Sequence, residues 1–438
     1  MFARSYISGM KTKKLIYDTC ILTLVALLMR AVGLAFSSYL SKQLGAEGLG
    51  LLEQILSVCA FSVSLAASGI KLSTVRLTVA AKAREQSLSK TVSLCFGYAL
   101  IPAFIAMTAL ILFSGKAAVL IGHPDTQKCF VLYALSLPFI SVSCVLSGYF
   151  TAVRQAGIYA VVSTSEQFVR MLLTALLLAR FLPLGAAGAC TAVVLGQCIA
   201  EVTGVMVTAV LYLCKRSADT ASCRPGIKEL LKIALPDSVS SNLRSALVTV
   251  RQILIPKTLA QSGASSGQGM AAYGVVQGMA LPVINFMSCI PGAFSGLMVP
   301  EIAECIARSN KKRAERLMSR ALTATFGFAV VVAAVIYISA PLIGRLLYRG
   351  TQAAFYIRLL APVIPVSYVD ITTDGILKGL GLQLDSMRFN IIEAAVCLSM
   401  VLVFVPKWGI WGYVAMIFAG EILNFGLSIN RLRRYALE

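Results

Sequence analysis

Apolar runs of about 20 residues or more recur from near the amino terminus to the end of the chain, divided by short polar or basic stretches. A hydrocarbon core of about 30 Å takes about that much helix to cross, so the pattern predicts membrane-spanning helices, not the half-polar helices of a water-soluble protein. Spans are predicted near residues 15–40, 51–70, 91–113, 129–151, 158–180, 185–213, 230–256, 271–298, 321–344, 354–377, 389–405 and 409–429. The first follows Lys11, Lys13 and Lys14 as a signal peptide would, but its apolar run reaches Leu40 and reads as a retained anchor.

The polar connectors alternate in charge. Lys and Arg crowd the amino terminus and the stretches Lys71 to Lys90, Lys215 to Lys232 and Arg308 to Arg320. The opposite connectors carry only scattered cations such as Lys42, Lys116, Lys128, Arg345 and Lys407. Because basic residues are retained on the cytoplasmic side, both termini are expected there, in a bacterial cytoplasmic membrane, with an even number of spans. The halves also answer each other. Pro138, Ser143, Gly148 and Glu166 find counterparts in Pro362, Ser367, Gly375 and Glu393, with the same interval from Gly to Glu. Leu49-Gly50-Leu51-Leu52-Glu53 likewise opens the second span as Tyr273-Gly274-Val275-Val276-Gln277 opens the eighth.

The expected fold is therefore an all-α integral membrane protein of about 12 transmembrane helices, in two six-helix bundles related by a pseudo-two-fold axis along the membrane normal. The expected boundaries are an amino-terminal bundle at 1–214, a cytoplasmic linker at 215–228 and a carboxy-terminal bundle at 229–438. The linker is the connector with a Ser, Asp, Thr, Pro and Gly composition.

Composition agrees: 58% of the 438 residues are hydrophobic and 13% charged, well away from the globular balance. The net charge of +20 is accounted for by loop topology, so no nucleic-acid partner is expected. Twelve cysteines lie mostly inside apolar segments without a C-x-x-C pair, and His123 is the one histidine, so neither a metal nor a haem site is expected. No G-x-x-x-x-G-K-[ST] loop occurs, which leaves an ion, voltage or substrate gradient as the energy source.

Charges within the predicted spans are the candidate chemistry. An intramembrane Arg costs roughly 2.5 to 3.5 kcal/mol on insertion scales, so each needs a partner, a cavity or the interface. In the seventh span Asp237, Ser241, Arg244, Ser245, Arg251 and Gln252 recur at helical intervals; in the first, Thr23, Arg30 and Ser37 do so. In the fifth, Ser163, Glu166, Gln167, Arg170 and Thr174 form a stripe in which Glu166 and Arg170 stand at ion-pair spacing. The bland reading is a set of structural ion pairs. The functional one takes Arg30, Arg244, Arg251, Arg170 and Glu166 as substrate-binding, since arginine exceeds acid along these stripes and guanidinium grips phosphate with paired bonds. Arg358 is expected to snorkel to the interface. Asp237, Asp370, Asp374 and Asn390 offer hard oxygen ligands for a coupling sodium ion or a proton; alternatively Asp374 pairs with Lys378.

The run Leu28-Met29-Arg30-Ala31-Val32-Gly33-Leu34, followed by Leu44-Gly45-Ala46-Glu47-Gly48-Leu49-Gly50, resembles the amino-terminal signature of oligosaccharide flippases. It is most similar to the stage V sporulation protein B family, within the multidrug/oligosaccharidyl-lipid/polysaccharide exporter superfamily. The resemblance implies export of a polyprenyl-diphosphate-linked saccharide by a protein that is not an enzyme, with Arg30 as a head-group contact and a sodium site on the seventh and eleventh spans. A monomer surrounded by membrane lipids is expected. The rival is a multidrug or cation antiporter on the same fold, which relies on an acid in the first span; a remote rival is an integral membrane glycosyltransferase, which would need catalytic acids or histidines on a sizeable aqueous loop.

Overall fold

A computed structural model describes residues 2–215, 226–263, 265–308, 310–348 and 351–437. Among these residues every regular element is helical. The first half comprises α1 (Phe2–Ala67), α2 (Ile70–Ala83), α3 (Leu88–Ile121), α4 (Gln127–Ala152), α5 (Ala156–Phe181) and α6 (Gly185–Lys215). The second comprises α7 (Ile227–Gln261), α8 (Ser266–Gly274), α9 (Leu281–Ile284), α10 (Cys289–Ala307), α11 (Lys311–Tyr348), α12 (Thr351–Leu360), α13 (Ile364–Gly379), α14 (Gln383–Val403), α15 (Val405–Trp408) and α16 (Ile410–Leu437). The chain is an all-α multi-pass membrane protein. Nine described stretches are long and apolar enough to cross a bilayer, and two of them, Thr23–Ala83 and Gly157–Lys215, run to 61 and 59 residues, enough for two crossings each. Helix α7 is not among the nine, because its polar positions depress its hydropathy.

The connector expected between the first two spans is compact: α1 is two helices that meet across a kink at Gly45 (φ 72°, ψ −177°), a conformation that a residue without Cβ adopts freely. The eighth span, read from the sequence as one helix, is broken: a π-helical turn at Val275–Ala280 leads into α9, and a 3-10 turn at Phe286–Ser288 into α10. The tenth is likewise divided by a 3-10 turn at Ala361–Val363, where Pro362 ends α12.

Proline removes the N–H that would serve the carbonyl four residues earlier, and in lipid no water replaces it. Three such carbonyls are met by side chains from other helices. Ser37 Oγ donates to Gly278 O (3.0 Å), freed by Pro282. Gln54 Nε2 donates to Gln252 O (3.3 Å), freed by Pro256, and to Ile253 O (3.2 Å). Arg358 Nε donates to Tyr337 O (3.3 Å), freed by Pro341. Helix ends are treated alike: Ser38 Oγ caps Leu347 O at the end of α11, and Ser141 Oγ caps Ala66 O at the end of α1.

Contacts gather the chain into two compact units, Met1–Gly50 with Ile255–Glu438, and Leu51–Leu254. This grouping differs from a cut at the 215–228 linker, of which residues 216–225 lie outside the described residues: it joins the amino-terminal part of α1 to the second half, and most of α7 to the first. The unit of Leu51–Leu254 is built on Ile70, Leu77, Val92, Leu146, Phe150 and Leu230. The other has Met298, Ile302, Met318, Ile376 and Leu377 at the core of its α10, α11 and α13 packing. Repeat positions have matching roles. Gly204 lies against the Glu166 carboxylate and Gly420 against that of Glu393. Gly50 and Gly274 lie against each other's helix, where a Cβ on either would meet backbone.

Candidate functional site

Arg30 sits on the exposed side of α1, and its Nη1 donates to Asn285 O (2.6 Å), one residue past the end of α9. Tyr368 Oη, from buried α13, donates to the neighbouring Ile284 O (2.9 Å). Two side chains from distant helices thus occupy consecutive carbonyls where the eighth span is interrupted. The interruption also holds the exposed Asn285 and the π-turn, a feature that accumulates at functional sites.

Helix α7 carries two polar faces, which the sequence reading merged. One is a zipper to the second span within the same unit: Ser238 Oγ donates to Ser68 O, Asn242 Oδ1 accepts from Ser64 Oγ (2.8 Å) and Ser68 Oγ (3.2 Å), and Thr249 Oγ1 donates to Ser57 O. Asp237, Ser241, Arg244 and Arg251 form the second face, turned by about 100° from the first; Asp237 and Arg251 are partly exposed and Arg244 exposed. Arg244 and Arg251 therefore belong to one compact unit and Arg30 to the other.

On α5, Glu166 has a different principal partner from the one its spacing suggested. Its carboxyl hydrogen-bonds with that of Glu201 on α6, and Arg170 acts on both through space. Ser143 of α4 donates to Glu201 and lies 3.3 Å from Tyr159 Oη. Glu201 is legible in the sequence as an acid within an apolar span; its pairing with Glu166 is not, because the two are on different helices.

The acids of the second half fall into two groups. Asp374 is committed to Lys378 Nζ (2.5 Å) and to the Ser386 hydroxyl, while Asn390 Nδ2 donates to Ser386 O (2.8 Å). Nearby, Asp385 pairs with Arg431 Nε (2.7 Å). Asp370, one turn from Asp374, faces α16 instead: Asn424 Nδ2 donates to its Oδ2 (2.9 Å), with Ser428 beside the carboxylate. Asp370 Oδ1 and Asn424 Oδ1 are buried and have no hydrogen-bond partner among the described residues. Glu421 and Glu393 are close enough to act on Asp370 electrostatically. Asn424 and Ser428, one helical turn apart in an apolar helix, were the missed signal. Asp237 is in the other unit. No group of three or more His, Cys, Asp or Glu suited to a metal occurs among the described residues.

Interrupted spans with polar side chains at their breaks, on an all-helical membrane scaffold, are the setting in which transporters place their binding sites. The fold matches a solved structure described as the inward-facing conformation of a multidrug resistance MATE family transporter of the MOP superfamily, with a TM-score of 0.70 at 17% identity over 94% of both chains. A MOP superfamily transporter from Pyrococcus furiosus Vc1, described as having a binding pocket of reverse polarity, matches with a TM-score of 0.66 at 15% identity over 95% of both chains. Residues 15–292 match the family described as polysaccharide biosynthesis protein, and residues 243–405 match MatE. The chain belongs to the polysaccharide biosynthesis protein family. Among its relatives are stage V sporulation protein B of Bacillus subtilis (strain 168), 24% identical over 422 residues, 92% of this chain and 81% of that protein. Sporulation protein YkvU of the same organism is 20% identical over 401 residues, 87% of this chain and 86% of its own length.

Proposed function

We propose that the protein translocates a polyprenyl-diphosphate-linked saccharide, a cell-wall or polysaccharide precursor, by alternating access in a bacterial cytoplasmic membrane, with both termini cytoplasmic. The observation that carries this reading is Arg30: an exposed guanidinium inside a span, held by one nitrogen on a carbonyl at the break of the eighth span. A cation kept in the membrane by a backbone carbonyl alone has charge left to offer an anion, and a diphosphate accepts paired guanidinium bonds. Arg244 and Arg251 on α7, and Arg170 with Glu166 on α5, are proposed as further substrate contacts within the unit of Leu51–Leu254. The family assignment and the reverse-polarity pocket described for the Pyrococcus relative support the same direction.

Coupling is assigned to a sodium ion or proton at Asp370, whose free oxygen and that of Asn424 are hard ligands of the right kind. Asp374 and Asn390 brace this region through Lys378 and Ser386. On this reading Asp370→Asn abolishes the sodium or pH dependence of transport in proteoliposomes, whereas Asp374→Asn lowers stability first; unchanged ion dependence in Asp370→Asn rejects the assignment. Asp237 is assigned the corresponding role on α7, and the protein is taken to work as a monomer.

The second reading, a multidrug or cation antiporter, is favoured by the MATE likeness, but the first span has no acid between Asp18 and Glu47. Native mass spectrometry separates the two. Saturable binding of undecaprenyl-diphosphate-linked sugar that Arg30→Ala loses supports the flippase; binding of cationic drugs without the lipid supports the antiporter.

A further inference from the structure

Of the arginines within the predicted spans, Arg358 is the one that the transport reading does not use. It lies on α12 seven residues from the start of that helix, about 10 Å along its axis and inside the span. An arginine at such a depth requires an anion or a route to water. Neither helix beside it provides a carboxylate, for no Asp or Glu occurs between Glu315 and Asp370. The side chain is nonetheless fixed: Nε donates to the proline-freed Tyr337 O, and the guanidinium lies 5.5 Å from the centre of the Tyr337 ring. This leaves the Nη edge of an exposed, oriented guanidinium available.

Tyr337 also lines an apolar groove of about 350 Å³ between α11 and the turn that ends α12. Val330, Ala334 and Ile338 form one wall, Ala361 and Pro362 the other. The groove exists because small side chains on α11 face the place where Pro362 breaks the tenth span. Its rim is outward-facing, with Val330 42% and Ile338 74% exposed, which inside a span means exposed to lipid.

We propose that this groove and Arg358 form a binding site for one anionic phospholipid of the surrounding bilayer, with an acyl chain along the groove and the phosphate on the guanidinium. The chemistry is complementary at both ends: an apolar channel open to the bilayer, and a pre-oriented cation for which the neighbouring helices provide no acid. The groove shares no lining residue with the Arg30 site and does not depend on what the protein transports. An arginine that merely snorkels would need no groove, and this difference makes the proposal testable.

The full chain, incubated with equal phosphatidylglycerol and phosphatidylcholine in mixed micelles, is examined by native mass spectrometry alongside Arg358→Gln and Ala334→Phe. The first variant removes the cation; the second fills the groove and leaves the cation in place. Monodisperse elution and an unchanged helical circular-dichroism spectrum establish that both fold. The wild type is expected to retain one phosphatidylglycerol in preference to phosphatidylcholine, and each variant to lower the bound fraction at least about fivefold, corresponding to about 1 kcal/mol. Equal retention by all three proteins overturns the proposal, as does loss in one variant alone or equal retention of the two lipids. Displacement by undecaprenyl phosphate would also overturn it, since the occupant would then be a polyprenyl carrier and not a bilayer lipid.

Discussion

Single side chains in this protein spend much of their chemistry on the backbone. Gln54, buried in α1, serves the carbonyl that Pro256 leaves without a donor in α7. Gln54→Leu should strand that carbonyl and cost about 1 to 3 kcal/mol, read as a lower melting temperature in detergent. Pro256→Ala restores an N–H to Gln252 O, so the double variant should recover most of the loss, and simple additivity of the two changes would refute the account. The prolines were legible in the sequence as kinks. The donors that complete them were not: Ser37, Gln54 and Arg358 are separated from the carbonyls they serve by 241, 198 and 21 positions. The same limit applies to Asp370, a candidate ion ligand by residue type alone, whose contact with Asn424 exists only because α16 packs beside α13.

At the scale of elements, rotation about the helix axis decides which residues bind and which pack. Asn242 and Arg244 on α7 are two positions apart, yet Asn242 accepts two serine hydroxyls, from Ser64 and Ser68, and Arg244 is exposed. Asn242→Leu is expected to destabilise the Leu51–Leu254 unit by about 1 to 2 kcal/mol, because two hydroxyls lose their acceptor in a low-dielectric setting. Arg244→Gln should leave melting unchanged and reduce transport, measured in proteoliposomes. The close crossing of α1 and α8 gives a sharper test. Gly274→Leu inserts a side chain where even a Cβ meets the backbone of Ala46 and Gly50, so it should cost about 3 kcal/mol or more, or prevent accumulation of folded protein; normal expression and melting would contradict the packing described.

For the whole molecule, the number and direction of crossings govern what can be reached from each side of the membrane. On the proposed orientation the basic stretch at residues 310–316 lies in the cytoplasm and residues 123–126 on the opposite face. In a variant lacking reactive cysteines, Cys introduced at Asp125 should be labelled by an impermeant maleimide in intact cells, and Cys at Asn310 only after the membrane is opened. The reverse pattern would invert the proposed orientation. The apolar positions exposed on α3, α5 and α11, such as Ile105, Leu172 and Ile338, are the lipid-facing surface that these crossings require.

The sequence alone determined the solvent, the approximate spans, the internal repeat and the family. These properties follow from sums over short windows and from local motifs, for transfer into lipid is nearly additive along a helix and a motif is contiguous. The tertiary structure alone decided the pairings: Glu166 with Glu201, Asp370 with Asn424, Arg30 with the broken eighth span, and the two faces of α7. A shift of one residue turns a side chain by about 100°, and its partner is on another helix whose register no local pattern encodes. The compactness of the kink at Gly45, where the two helices of α1 meet, belongs to the same class, because a single glycine that permits a positive φ reads in sequence as a loop.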